Sequence, residues 1–337
     1  AERSRSSALM ELVGSSESDS AWTYRQSSEL AKSLNADLVY YYQDPQWLYI
    51  WVIDRKGAIH FNQQSLFLVH HNITDMGALF DQITPEQSSV DRERFQALES
   101  ANLRHCSLVD LSKLLIAPIR RHLTLNGRVV FFPHNELALT PFAALQFEDD
   151  VGQTRWLVED YTIQIGVTMR LMDSAHRSSE SSDCEALKGK DGLVVGYPDK
   201  LTAFLTPQLA TDGTVHGWTP ERACALPNAI AEARDVANLL GCTPLLSESA
   251  TKKAVLKQLQ SASIVHLATH GDVDCFGPRL LLHGKVEGSA DSEQFLRPQD
   301  VMSKPLRARF VGLAACNSGR GEMSAGEGVM GMARAFI

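Results

Sequence analysis

The sequence predicts an α/β protein: a mostly parallel sheet flanked by helices, preceded by a second α/β half. Three observations carry this. In residues 193–337, short apolar runs alternate with helical stretches of about 10–15 residues, as parallel strands and their crossover helices do. In residues 36–61, aromatic and β-branched residues fall into short runs separated by turns. Between the halves, residues 173–192, DSAHRSSESSDCEALKGKDG, hold almost no apolar residues and read as a linker.

In order, residues 1–35 form an N-terminal arm or linker, rich in Ser and charge over 14–28, with a helical pattern in SELAKSLN. Residues 36–172 form the first α/β half. Strands are expected at Leu38–Tyr42, Trp47–Ile53 and Ala58–Phe61, with turns at Asp44-Pro45 and Arg55-Lys56-Gly57. Residues 74–124 carry helical periodicity, clearest in SLVDLSKLLIAPIRRHL, which Pro118 interrupts. RVVFF is a short buried strand, PFAAL an apolar segment, and LVEDYTIQIGV another strand.

Residues 193–337 are regular. GLVVGYP is a buried strand; ALPNAIAEARDVANLL is a helix closed by Gly241. CTPLL is a short strand, and SESATKKAVLKQLQSA a helix with Ser249 or Thr251 as its cap. SIVHLATHG and RLLLH are strands, FLRPQDVMS is a short helix, RARFVGLAACNSG is a strand, and GEGVMGMARAFI opens a helix.

Composition narrows the function. The 337 residues are 44% hydrophobic and 21% charged, ordinary for a globular chain. A net charge of −8 speaks against nucleic-acid binding through a broad basic surface. No run reaches the ~18 apolar residues that span a bilayer, and AERSRSSALM lacks a signal-peptide apolar core. Six scattered cysteines without a CxxC pair suit a reducing, intracellular setting. The chain lacks an initiator Met and ends at Ile337 inside the helix expected after Cys316, so it reads as a segment truncated at its C-terminus.

The chemistry is expected at two strand ends. SIVHLATHG stops at His270-Gly271, and RFVGLAACNSG stops at Cys316-Asn317-Ser318-Gly319. In an open parallel sheet, ligands bind beyond the carboxyl ends of the strands. Neighbouring strands would bring His270 and Cys316 to one edge. The imidazole can take the thiol proton, the thiolate can attack a carbonyl carbon, and the imidazolium can protonate the leaving amine. Backbone N–H groups of Gly271 and Cys316 are the candidate oxyanion donors. A plain alternative stays open: a strand-end Cys is commonly a small buried hydrophobe, and a His commonly a structural hydrogen-bonder. His266, four residues before His270, lies in a β-like segment without an intervening Glu or a third ligand, so no metal is expected. Cys275 is a rival nucleophile, disfavoured by Asp272 and Asp274 beside it. NSGRGEMSAGEGVMG lacks a complete dinucleotide or phosphate-loop spacing. No cofactor is expected.

IVHLATHGDVD and VGLAACNSGRGEMSAGEGVMGMARAFI resemble the CHAT family, peptidases related to caspases and separases and often attached to tetratricopeptide (TPR) repeats. VVFFPHNELALTPFAALQ with RWLVEDYTIQIG resembles the front part of the same family, although His134-Asn135 stands where many members have Asp-Gly. The resemblance covers roughly residues 36–337. It implies a caspase-like fold in which His270 and Cys316 form a Cys–His dyad, Gly271 helps hold the oxyanion, and residues 36–172 form a pseudoprotease-like half. A cysteine endopeptidase acting on a protein partner follows, with TPR repeats or a regulatory protein on the same or another chain. Asp272, Asp274, Glu322 and Glu327, near the dyad in sequence, are candidates to pair a basic substrate side chain, or else solvated loop charges. The alternatives are an inactive caspase-like scaffold and a hydrolase of small esters or amides.

Overall fold

A strand buried on both faces organises the N-terminal part of the chain. The structure, a computed structural model, describes residues 22–44, 46–66, 108–134, 137–138, 140–149, 151–180, 191–211, 213–289, 292–303, 305–316, 321–324 and 328–336. The chain divides into two compact units, Ala1–His176 with Ala325–Gly328, and Arg177–Ser324 with Val329–Ile337.

The first unit runs α1 (Tyr24–Leu34), β1 (Ala36–Gln43), β2 (Trp47–Ile53), β3 (Ile59–Ser65), α2 (Leu108–Leu115), a 3-10 turn at Arg120–His122, β4 (Arg128–Phe132) and a second 3-10 turn at Phe142–Ala144. It continues with the short strands β5 (Gln146–Glu148) and β6 (Thr154–Trp156), one helical turn α3 (Leu157–Asp160), β7 (Thr162–Ile165) and α4 (Met169–Glu180). The main sheet has the order β3-β2-β1-β4-β7, antiparallel from β3 to β1 and parallel from β1 to β7. Side chains alternate across it. Val39, Tyr41, Ile50 and Phe131 pack on Leu111 and Leu115 of α2, while Leu38, Tyr40, Val130 and Phe132 pack on Leu30 and Ala31 of α1 and Met169 of α4. Cover on both faces explains the unbroken apolar run LVYYY in β1. Asp37 sits fully buried in the same strand, accepting from the backbone N–H of Arg55 at 2.9 Å and of Thr124 at 2.6 Å.

The second unit begins with β8 (Gly192–Gly196), the hairpin strands β9 (Thr202–Leu209) and β10 (Val215–Ala223), α5 (Pro227–Leu240), β11 (Leu245–Leu246) and α6 (Lys252–Leu259). It continues through β12 (Ile264–Ala268), β13 (Gly271–Asp274), β14 (Gly277–Leu281), β15 (Phe295–Leu296), α7 (Pro298–Met302) and β16 (Phe310–Ala314). After these come β17 (Gly321–Ser324), β18 (Gly328–Gly331) and a 3-10 turn at Met332–Phe336. The central sheet, β11-β8-β12-β16, is parallel throughout. Val194 packs on Ala233 and Ala237 of α5 on one face; Leu193, Val195, Val265 and Leu267 pack on Val255 and Leu259 of α6 and Val301 of α7 on the other. Helices thus flank both faces of a parallel sheet, as the α/β reading requires. Gly241 closes α5 in the left-handed conformation at φ 66°, and Thr251 caps α6 by accepting from the Ala254 N–H at 3.2 Å.

Four local expectations are corrected. The Ser-rich stretch 14–28 is already helical from Tyr24, because Thr23 and Gln26 form a reciprocal capping box and Leu30 and Ala31 bury against the sheet. The stretch expected as linker from residue 173 stays helical to Glu180, drawn in by Met169 and Leu171 on the buried side of α4; residues 181–190 lie outside the described residues. LVEDYTIQIGV is not one strand: Glu159 accepts from the Trp156 N–H at 2.8 Å, turning Leu157–Asp160 into a helical turn before β7. The helix expected from GEGVMG onward is replaced by β18 and a 3-10 turn, in keeping with the low helix propensity of its glycines. Pro118 does end α2 early, and the chain continues as turn and 3-10 to His122. The expected helical periodicity over 74–107 falls outside the described residues.

Asp37→Ala removes a fully buried acceptor from two part-buried backbone N–H groups. It is expected to lower unfolding free energy by about 2–4 kcal/mol in chemical denaturation, with Asp37→Asn retaining part of that stability.

Candidate functional site

The two strands singled out by their ends are neighbours. β12 pairs with β16 in parallel register, with Val265 opposite Val311 and Ala268 opposite Ala314. β12 also pairs with β8, placing Gly196 beside Ala268. Three strands therefore end together at one carboxyl edge. The Thr269 N–H donates to the Ala314 carbonyl at 3.3 Å, continuing the ladder beyond the strands.

At the next step the two chains nearly touch. A Cβ placed on Gly271 would overlap the Cys316 carbonyl oxygen and lie 3.3 Å from the Ala315 Cβ. Only a residue without a side chain lets the backbone after His270 pass so close to the backbone at Cys316. This places His270-Gly271 beside Cys316. The sulfur-bearing residue itself is exposed.

His270 is held at both ends. Its carbonyl accepts from the Leu281 N–H at 2.9 Å, and the Thr269 hydroxyl donates to the Leu281 carbonyl at 2.6 Å, which ties this turn to β14. Its Nε2 lies 2.8 Å from the carbonyl oxygen of Cys224. A carbonyl oxygen only accepts, so Nε2 carries the hydrogen, and in the neutral ring Nδ1 keeps the lone pair. Cys224 follows directly on β10, so the β9–β10 hairpin delivers the group that orients the imidazole. Sequence reasoning missed this contact, because a main-chain carbonyl carries no side-chain signature.

The acidic candidates take different positions. Asp274 is engaged internally: Arg297 donates to both its oxygens at 2.9 and 2.7 Å, and Arg279 lies 2.9 Å from Oδ2. Its side chain is 2% exposed. The Arg279 guanidinium also stacks on Phe295, 4.2 Å from the ring centroid, and reaches Asp272 at 2.8 Å. Asp272, whose side chain is 53% exposed, keeps an accessible carboxylate next to Gly271. Glu322 stands on β17, and Glu327 lies outside the described residues. Together the two arginines and two aspartates pin β13, the strand that begins at Gly271.

The rival residues are also placed. Burial pushes the Cys275 thiol up, and Asp274 beside it adds to that, so its thiolate is disfavoured. His266 lies 2.9 Å from the Glu232 carboxylate on α5, and Gly312 leaves room for its ring: a Cβ there would stand 2.8 Å from Nδ1. Among the described residues, no helix is long and apolar enough to cross a membrane.

Both strand ends fall within the stretch that matches one known protein family. The model of the CHAT domain matches residues 107–337. Mouse tetratricopeptide repeat protein 28 is 25% identical over 315 residues, covering 80% of this chain and 12% of that protein. Its human counterpart is 28% identical over 155 residues, covering 45% of this chain and 5% of that protein. The chain thus spans a small fraction of the length of these curated relatives.

Gly271→Val puts a branched side chain against backbone that has no room to yield. It is expected to cost about 1–3 kcal/mol of stability, read by thermal denaturation, and to change the iodoacetamide reactivity of Cys316 more than that of Cys242.

Proposed function

Because the chain belongs to the CHAT domain family, a group related to caspase-like peptidases, we propose that it is a cysteine endopeptidase that cuts a protein partner. The approach of Gly271 to Cys316, at the aligned ends of β12 and β16, is the observation that carries the proposal. Cys316 is the nucleophile and His270 the base. The fold is caspase-like in the second unit, with the first unit as a pseudoprotease-like half. The TPR character of the relatives supports attached repeats as the regulatory or substrate-presenting partner.

In the proposed reaction, His270 Nδ1 takes the thiol proton while its Nε2–H remains bonded to the Cys224 carbonyl. The thiolate adds to the substrate carbonyl carbon, and the oxyanion is held by the backbone N–H groups of Gly271 and Cys316. The imidazolium returns its proton to the leaving amine as the C–N bond breaks, leaving a thioester. Water, deprotonated by the same imidazole, then hydrolyses that thioester and frees the thiol. Asp272 is the acidic candidate best placed to meet a basic substrate side chain, being exposed and held in position by Arg279; Asp274 acts through the arginines that fix β13.

A panel of peptidyl chloromethyl ketones differing in the residue before the reactive carbon tests this, with mass-spectrometric mapping of the modified cysteine. Labelling is expected at Cys316, falling by about 10²-fold or more in His270→Ala. Labelling of Cys275 instead, or labelling indifferent to His270, defeats the dyad. No labelling by any probe favours the non-catalytic scaffold.

A further inference from the structure

Away from the strand ends, the second unit carries a cleft of about 780 Å³ between α6 and the segment that follows β14. Its lining includes Lys252, Lys253 and Lys257 from α6, His283 and Lys285 from the facing segment, and Glu293. Lys252 is neutralised by Asp300 at 2.8 Å. Among the described residues, no carboxylate lies within ion-pair distance of Lys253, Lys257 or Lys285. All three are exposed at the cleft. A chain of net charge −8 thus concentrates three uncompensated ammonium groups around one concavity, against a single lining carboxylate.

The helix itself is at odds with this arrangement. α6 reads KKAVLKQL, without an acidic residue. Lys253 and Lys257 stand four apart, so their like charges share one face of the helix. Lys253, which unlike Lys252 has no carboxylate partner among the described residues, stands in the first turn, where positive charge opposes the helix dipole. Neither placement helps α6 to form, and an anion in the cleft would relieve both. The volume falls within the range of pockets for small molecules. Leu256 and the aliphatic stems of the lysines supply an apolar wall. Lysines spread over two facing segments, with no arginine among the lining residues, present several point charges and no planar fork. That suits separate phosphate groups better than a single carboxylate.

We propose that this cleft binds a small ligand bearing several phosphate groups, held by Lys253, Lys257 and Lys285. The site is distinct from the proposed dyad: neither Cys316 nor His270 lines it. The backbone links the two regions, since Leu281, whose N–H binds the His270 carbonyl, precedes His283 by two residues.

Calorimetric titration of the whole chain with sodium tripolyphosphate tests the proposal. Saturable single-site binding is expected, weakening as salt is raised. The Lys253→Glu/Lys257→Glu double variant, and separately Lys285→Glu, should each lose about tenfold or more in affinity, and Glu293→Gln should gain. The corresponding Lys→Gln variants should lose affinity in the same order, so the test stands even if a charge reversal perturbs folding, which far-ultraviolet circular dichroism checks. No saturable heat, unchanged affinity in the lysine variants, or equally tight binding of an oligoglutamate peptide of matching charge overturns the proposal; the last outcome would make the cleft a docking surface for acidic peptide.

Discussion

The candidate site depends above all on the parallel register of β12 with β16. Pairing Ala268 with Ala314 makes the two strands end together, and every feature of the site is built outward from that alignment. A register slip would send alternate side chains to opposite faces of the sheet. Val265 and Leu267 would then leave the core beneath α6 and α7, where they are almost fully buried. The same apolar packing that stabilises the second unit therefore holds the two reactive residue types at one edge. No interaction between them is needed to bring them there.

A second layer surrounds that edge. β13 starts where the close approach occurs, and its far end is clamped by Asp274 between two arginines. Buried charge is costly unless paired, and here the two guanidinium groups meet two carboxylates and three aromatic rings, Phe204, Phe276 and Phe295. The cluster ties the far end of β13 to Arg279 on β14 and to Arg297 just before α7. Its usefulness lies in keeping Gly271 and Asp272 in place as the chain turns away from the central sheet.

Much of this was legible from residues alone, and the failures have physical causes. GLVVG and SIVHLA announce buried parallel strands because both faces are covered, RFVGLA announces a strand of the same sheet that is only half-buried, and Gly241 and Thr251 announce helix ends through their local chemistry. The β9–β10 hairpin was not anticipated. Its strands contain Pro207 and Pro220 and are largely half-exposed or exposed, so no clean alternation marks them. The imidazole's partner was equally hidden, being a main-chain oxygen 46 residues upstream. The clamp on Asp274 joins it to Arg297, 23 residues later, and reads in sequence as an acidic loop followed by an unrelated basic residue. Local rules describe elements; they do not show which long-range pairings consume a charge.

The sheet order has one further consequence. β12 is hydrogen-bonded on both sides, by β8 and by β16, whereas among the described residues β16 is bonded only by β12. Phe310, at the start of β16, is 61% exposed, while β8 is buried from Leu193 to Gly196. Amide protons on the inner strand are thus shielded by two ladders and those on the rim by one, so the rim can open at a smaller free-energy cost. The histidine follows the strand held by two ladders, and the cysteine follows the one held, among the described residues, by a single ladder. Fraying of a single ladder would part the two while leaving the rest of the domain folded.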